Sequence, residues 1–505
     1  MLRSLRGITL AVVAGLVAGC AAHTPFRCPT KGGAPWREIT TPGFVVQTDL
    51  PSDEARELAE ELEHLNQTLV TALLRRPPTF ASRLEVVVFR NAREYADFAP
   101  TSDTIAFYLS TQAGDEVVVM AGALDLASRV TIVHELTHRV LARVFLRQPR
   151  WFGEGMAVFM ESLGKASWRS RPRIGGIPPR IERGEAYLRA PVQQTLLTER
   201  PTARDYPTAW ALVHLLHNRY PAEFGVLQQR FARGDDPRVA WREVFPQWDP
   251  SDPEHMQSLD RELARHLDGG RYAYRLIELP EAPVALSERP LSPADAHGVR
   301  LRLLTLMKGP RERHEVELDE ALAEDPSNVR VLEVAARHRP ARAVELARRA
   351  SAAHPDDPRA WDFLAGALEV GDAKEREDAL RRVIALDPGR AGALGELAAS
   401  HLDRGEFAEA LPLAEKAVAY APWSSPAHVV LGSTLVGLGR CDEGLRALRR
   451  GVDVVPESAP DYLTRVHAMR EQAEAQCALP TPPAAPAVAP ASAPVKAKPA
   501  RNRAR

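Results

Sequence analysis

The chain has 505 residues and a formal net charge of −1, from 65 basic and 66 acidic side chains. At about 100–200 residues per domain, this length predicts two or three domains. The balanced charge, without a sustained basic block in the folded part, gives no reason to expect a nucleic-acid partner.

The first twenty residues have the pattern of a signal peptide. Two arginines precede an apolar run from Ile8 to Val17, which is too short to span a bilayer as a helix. The run ends in Leu-Val-Ala-Gly-Cys, which resembles the bacterial lipobox. That resemblance implies a signal peptide at residues 1–19 and a lipid on Cys20, whereas an ordinary cleaved signal with an incidental cysteine is the alternative.

The resemblance also bears on location. Ala21 is not the aspartate that favours inner-membrane retention, so a lipidated Cys20 implies a bacterial cell-envelope protein anchored in the outer membrane. Residues 20–38 are rich in Pro, Gly and Thr and are interpreted as a tether.

Three runs of β-branched residues follow and predict strands, at Phe44–Thr48, Leu84–Phe89 and Glu116–Met120. The segment from Asp53 to Leu74 has the apolar spacing of an amphipathic helix between the first two strands.

The motif His134-Glu135-Leu136-Thr137-His138 lies in a segment with helical periodicity. Residues four apart share one helix face, so His134 and His138 can offer two imidazole nitrogens to one tetrahedral zinc ion. Glu135 is rotated by about 100° from His134, which places its carboxylate where it can take a proton from water. The motif predicts a zinc-hydrolase centre, and a chance match in a charged helix is the alternative.

A third ligand is expected from Glu154, sixteen residues beyond His138. This separation is enough to end the first helix, turn at Gln148-Pro149 and start a second helix packed against it.

The motif followed by Trp-Phe-x-Glu-Gly-x-Ala resembles the gluzincin metallopeptidases, in particular the peptidase-MA-like group, over roughly residues 40–250. The resemblance implies an α+β zincin-like metallopeptidase domain at residues 39–278. One Zn²⁺ would be held by His134, His138 and Glu154, with Glu135 as general base. The M48-like peptidases are a weaker match, because Val158 stands where they usually have an aspartate.

The same resemblance suggests further site residues. In gluzincins the strand before the zinc helix is a sheet edge that binds extended substrate, which implies peptide pairing along Val117, Val118, Val119, Met120 and Ala121. An ordinary core strand is the alternative. Tyr206, at the start of an apolar helix, is a candidate for stabilising the oxyanion, but simple packing is favoured for it and for His214 and His217.

The C-terminal half repeats itself. A period near 34 residues with a proline ending each unit is the tetratricopeptide signature. It predicts an all-α tetratricopeptide-repeat solenoid at residues 297–477, after a linker at 279–296 and before a disordered Pro/Ala-rich basic tail at 478–505. A generic helical bundle is the alternative. The prolines, spaced by 29, 33, 34 and 34 residues, are Pro326, Pro355, Pro388, Pro422 and Pro456.

Four cysteines in an exported chain invite pairing. Cys441 opens the second helix of the last repeat and Cys477 closes the helix that should cap the stack. Because those ends meet in an antiparallel hairpin, the sequence predicts a Cys441–Cys477 disulfide and leaves Cys28 unpaired on the tether.

These patterns together predict a membrane-anchored zinc metallopeptidase that hydrolyses peptide bonds, with repeats that recruit a protein partner or substrate. The alternative is an inactive or latent protease-like scaffold that acts through its repeats.

Replacing Cys20 with serine removes the proposed lipid attachment point, so the variant is expected to leave the membrane fraction. The measurement is the partitioning of parent and Cys20→Ser protein between membrane and soluble fractions. Continued membrane partitioning of the variant would contradict lipidation at this residue.

Overall fold

The protein is described from a computed structural model. It covers residues 26–74, 83–99, 106–110, 116–165, 172–179, 190–198, 201–268, 272, 274–278, 283–307, 311–368, 372–455 and 460–478. The signal peptide, the lipobox with Cys20 and the basic tail after residue 478 lie outside these residues. None of the helices described is long and apolar enough to cross a membrane.

A mixed six-stranded sheet organises the N-terminal half. Its strands are β1 Arg37–Thr40, β2 Phe44–Thr48, β3 Leu84–Phe89, β4 Ala106–Ser110, β5 Glu116–Ala121 and β8 Ser287–Pro290, and their order across the sheet is β4-β5-β3-β2-β1-β8. Strands β2, β3 and β5 are parallel, and β4, β1 and β8 are antiparallel to their neighbours. All three strands expected from β-branched runs are present. A separate ribbon pairs β6 Arg173–Ile174 with β7 Arg275–Leu276.

Both faces of this sheet are buried. Successive strand residues point to opposite sides, so each strand contributes side chains to two cores. Val86, Val88 and Met120 face a core shared with two helices, α1 (Ser52–Leu73) and α3 (Leu126–Val144). Val87, Phe89, Val117 and Val119 face a second core that is closed by the helix Pro293–Leu306. The sheet is therefore the middle layer between the α3 side and the C-terminal half.

Short helices complete the N-terminal half. Among them, the ring of Trp151 meets those of Phe152 and Trp241 edge-to-face. Their bounds are α2 Ala92–Tyr95, α4 Arg150–Met160, α5 Val192–Leu197, α6 Asp205–Arg219, α7 Pro221–Arg233, α8 Pro237–Val244 and α9 Pro253–Leu267.

The C-terminal half is a stack of helical hairpins, as the 34-residue period predicts. Small residues such as Ala347, Ala379 and Ala414 are buried where neighbouring helices approach closely. The first hairpin begins at Pro293. The bounds are α10 Pro293–Leu306, α11 Arg311–Glu324, α12 Val329–His338, α13 Ala343–Ala353, α14 Pro358–Ala367, α15 Ala373–Leu386, α16 Ala391–Asp403, α17 Phe407–Tyr420, α18 Ser425–Gly437, α19 Cys441–Asp453 and α20 Pro460–Ala478.

A disulfide joins the last hairpin to the capping helix. Cys441 at the start of α19 and Cys477 near the end of α20 have their sulfur atoms 2.07 Å apart and their Cα atoms 5.8 Å apart. Cys28 is a free thiol and is buried.

The segment expected to be a linker, residues 279–296, is not one where the structure describes it. Ser287–Pro290 forms β8, which pairs with β1, and α10 begins at Pro293. The prolines misled the sequence interpretation, because proline is also accepted in an edge strand and in the first turn of a helix. Ser292 and Asp295 form a capping box that starts α10 directly after the strand.

The tether expected at residues 20–38 is likewise wrong for its described part. Trp36 is buried against Phe89 in the second core, and Arg37 begins β1. Thr30 donates a 2.6 Å hydrogen bond to Glu324 of α11. Contacts with the sheet and with α11 thus hold a segment whose composition suggested an unfolded chain.

The solenoid contacts the N-terminal half at its start and again further along the stack. At the start, Arg330 of α12 lies 3.3 Å from the carboxylate of Glu38 in β1. Further along the stack, the guanidinium of Arg143, in the last turn of α3, lies 4.7 Å from the ring centre of Trp423. The loop before α18 therefore touches the end of the helix that carries the histidine motif.

Truncating a side chain on the sheet-facing side of α10 tests this arrangement. Leu303 is 1 % exposed within the second core, so Leu303→Ala is expected to lower the free energy of unfolding by about 2–5 kcal/mol. Val316→Ala on α11, where the side chain is 64 % exposed, is the control and should change it little. Urea unfolding measures both, and equal stabilities would contradict the docking of α10 on the sheet.

Candidate metal centre

The N-terminal cap and the buried face of α3 determine where the histidine motif lies. The side chain of Asp125 caps its start by accepting a 2.8 Å hydrogen bond from the backbone N–H of Ser128. Ile132, Val133 and Leu136 are buried in the first core. This packing fixes the rotation of the helix and so leaves His134 and His138 on the flank that faces α4.

The helix α4 brings Glu154 back to α3. It starts after Pro149, in keeping with the turn expected there. Gly155 allows it to approach α6 closely, since a Cβ at this position would lie 2.6 Å from the carbonyl oxygen of Ala209. The glycine after Glu154 is therefore a packing requirement of the site.

The three predicted ligands meet at one point. The Nε2 atoms of His134 and His138 are 3.1 Å apart, and each lies 3.3 Å from Oε2 of Glu154. For metal–ligand bonds of about 2.0–2.1 Å, a tetrahedral zinc ion separates its ligand atoms by roughly 3.3 Å. Within the described part of the chain, these three residues are the one group of His, Cys, Asp or Glu side chains that could hold a metal ion, since their ligand atoms all lie within 4.8 Å of one another.

A second observation also fits a cation. Oε2 of Glu154 is buried and has no hydrogen-bond partner of acceptable geometry. Buried carboxylate oxygens are costly unless they are paired or bound to a metal. The donor set of two imidazoles and one carboxylate, all aimed at one point, suits zinc.

The electrostatics of the site favour positive charge. Burial raises the pKa of Glu154, but the interactions of its carboxylate with the side chains of His134 and His138 outweigh burial and hold the pKa at about 2. Burial lowers the pKa of His134, but Glu154, Glu161 and Glu135 outweigh it and raise the pKa to about 9. Carboxylates around His134 therefore stabilise a cation at this point.

Two other predicted groups lie close to the ligands. Glu135 is half-buried on α3, next to His134 in the chain. The ring of Tyr206, in the first turn of α6, has its centre 6.3 Å from that of His134. The start of α6 is held by Asp205, which accepts a 2.8 Å hydrogen bond from the backbone N–H of Thr202.

One residue near the site was missed by the sequence analysis. Oε1 of Glu161 lies 2.8 Å from Nδ1 of His134, and the Glu161 side chain is fully buried. It follows Glu154 by seven residues, which is two helical turns. That spacing was the available signal, because residues seven apart lie on the same side of a helix and Glu161 directly follows the last turn of α4.

The two histidines on α6 belong to the packing of the domain. Nδ1 of His214 lies 2.7 Å from Nε2 of His266, and its ring packs against Trp210 and Tyr272. Burial lowers the pKa of His217. The structure brings neither into the ligand group.

The substrate strand expected at Val117, Val118, Val119, Met120 and Ala121 is wrong. These residues form β5, which pairs with β3 on one side and with β4 on the other. Within the described residues, the sheet edge on this side is β4, Ala106–Ser110. The sequence analysis did not assign β4, so β5 was taken for the edge.

Comparisons with known proteins match the repeats. The tetratricopeptide repeat family matches residues 401–472, so the predicted repeats are confirmed there. These residues lie within the solenoid and outside the domain that holds His134. No curated protein matches the chain.

Solved structures similar to this chain include MamA from Desulfovibrio magneticus RS-1, at 22 % identity over 29 % of this chain and 88 % of that chain, with a TM-score of 0.24. TTC0263, a tetratricopeptide-repeat protein of Thermus thermophilus, is 17 % identical over 36 % of this chain and 99 % of that chain, with a TM-score of 0.28. PilF of Pseudomonas aeruginosa is 20 % identical over 36 % and 88 %, with a TM-score of 0.30. TM-scores of this size carry no functional argument.

Because β5 is paired on both sides, a proline in it should destabilise the sheet. Val119 is fully buried between two paired strands, so Val119→Pro removes a backbone donor from the sheet interior. A buried group left unsatisfied costs about 1–3 kcal/mol, so the variant should lose thermal stability. A variant with the parental melting temperature and an altered KM for peptide would restore β5 as the substrate strand.

Proposed function

We propose that the N-terminal half is a zinc metallopeptidase. The observation that carries the proposal is the ligand triangle of His134, His138 and Glu154, whose sides of 3.1–3.3 Å match a tetrahedral zinc ion. The resemblance of this motif to gluzincins supports the same interpretation. Glu135, adjacent to His134 in the chain, would supply the general base that hydrolysis requires.

The residues of the site have distinct roles in this proposal. His134, His138 and Glu154 hold the metal, and zinc, when bound, lowers the pKa of water and polarises a carbonyl group. Glu135 accepts the proton of the attacking water and passes it to the leaving amine. Tyr206 is close enough to the ligands to be tested as a hydrogen-bond donor to the developing oxyanion.

The solenoid adds a binding function. Tetratricopeptide repeats stack into an extended concave surface, which suits a protein or peptide ligand. In the proposal this surface recruits a partner or substrate. The first helix of the solenoid, α10, packs against one face of the sheet. A protein bound to the repeats would therefore be held next to the proposed catalytic domain.

The location of the enzyme is also part of the proposal. The lipobox-like sequence at residues 16–20 supports anchoring through Cys20 in the bacterial outer membrane. Several acyl chains on one cysteine would give a firm anchor, whereas a single chain binds only marginally.

A second candidate function is a scaffold whose metal centre has no turnover. The observation that favours it is the family match, which falls entirely within the repeats at residues 401–472. In this interpretation the metal would stabilise the packing of α3 on α4, and the repeats alone would carry the function.

Zinc content and peptide cleavage of the full chain test these proposals. The parent should bind one zinc ion per chain and cleave a peptide library. Glu154→Ala should lose the zinc, because it removes one of three ligands. Glu135→Gln should keep the zinc and lose about 10²–10⁴-fold in kcat, because it removes the general base.

The control is Glu54→Gln, which changes an exposed carboxylate at the start of α1 and should alter neither property. Zinc binding without cleavage in the parent would favour the scaffold. A parent without specific zinc would overturn the metallopeptidase proposal.

A further inference from the structure

We propose that Glu161 is a positioning residue of the metal centre, which holds His134 in the tautomer and orientation that zinc requires. This inference rests on the proposed zinc site. Glu161 is not one of the three ligands, and its role is exerted through the ring of His134.

The two nitrogens of the His134 ring have different neighbours. Nδ1 lies 2.8 Å from Oε1 of Glu161, whereas Nε2 faces Nε2 of His138 and Oε2 of Glu154. A carboxylate only accepts hydrogen bonds, so the ring donates its Nδ1–H to Glu161. In the neutral ring, the lone pair is then on Nε2, the atom directed at the other two ligands.

The burial of Glu161 is informative because a buried carboxylate is expensive. Its side chain is fully buried, and removing such a charge from water costs several kcal/mol even after relaxation. The 2.8 Å contact with Nδ1 of His134 is one interaction that offsets this cost.

The backbone around Glu161 fixes where the carboxylate points. Glu161 begins a 3₁₀ turn, Glu161–Lys165, directly after α4. The hydroxyl of the neighbouring Ser162 donates to the carbonyl oxygens of Phe159 and Arg173, at 3.2 and 3.3 Å. The turn is therefore tied to α4 on one side and to β6 on the other.

The two histidine ligands are not equivalent in this respect. Among the described residues, Nδ1 of His138 has no carboxylate partner, and 29 % of the His138 side chain is exposed, against 9 % for His134. Glu161 thus gives the buried ligand a fixed orientation that the exposed one lacks. Such partners typically change metal affinity or activity about 10–100-fold.

The test uses Glu161→Gln and Glu161→Met in the full chain, with zinc affinity measured by chelator competition. Glutamine removes the charge that selects the tautomer, and methionine removes charge and acceptor together without adding a buried amide. Both are expected to weaken zinc binding by about 10–100-fold. The absorption spectrum of the Co²⁺-loaded protein should also change, because one imidazole ligand loses its fixed orientation.

The matched control is Glu63→Gln. Glu63 is 2 % exposed and accepts hydrogen bonds from Gly43 and Thr41, far from the ligands in the chain and without contact to them. This variant should lower the melting temperature of the metal-free protein but leave zinc affinity and the cobalt spectrum unchanged. It separates loss of a buried carboxylate from loss of ligand positioning.

The outcomes distinguish this inference from the proposed function. If the parent binds no zinc, the metal centre itself is overturned and the inference falls with it. If the parent binds zinc and both Glu161 variants bind it with the same affinity and the same cobalt spectrum, the metal centre stands and the role of Glu161 is overturned.

Discussion

The architecture depends on the burial of both faces of one sheet. Strands β3 and β5 alternate their side chains, so that Val86 and Met120 face α1 and α3, while Val87 and Val119 face α10. Neither face could be left in water without exposing a large apolar surface. The helix that closes the second face is also the first helix of the repeat stack. The repeats are consequently part of the fold of the N-terminal half and are not a separate module on a flexible linker.

This arrangement determines where each proposed activity can lie. The histidine motif is on α3, on the side of the sheet opposite α10, and the repeats extend from the other side. The stack then returns to the N-terminal half, where Trp423 contacts Arg143 at the end of α3. The sheet and this contact both join the repeats to the domain that holds the candidate metal centre.

Much of the fold could be predicted because its signals are local. Apolar β-branched runs indicated β2, β3 and β5, the i, i+4 histidines indicated a metal-binding helix face, and the 34-residue period indicated the hairpins. The errors concern contacts between distant residues. Strand β8 pairs with β1, and Arg37 and Glu288, which form an ion pair across them, are 251 residues apart. Glu161 was missed for a related reason, since its proposed role depends on a contact with the ring of His134, which lies on another helix. Before β1, the composition suggested an unfolded tether, but the large side chain of Trp36 is buried there against Phe89.

The most direct test of the central claim is X-ray absorption at the zinc edge of the full-length protein loaded with one equivalent of zinc. The account predicts nitrogen and oxygen neighbours only, at about 2.0–2.1 Å, with the outer-shell scattering of two imidazole rings. A sulfur neighbour at about 2.3 Å, or a spectrum of hydrated zinc without imidazole scattering, would show that His134, His138 and Glu154 are not the metal site.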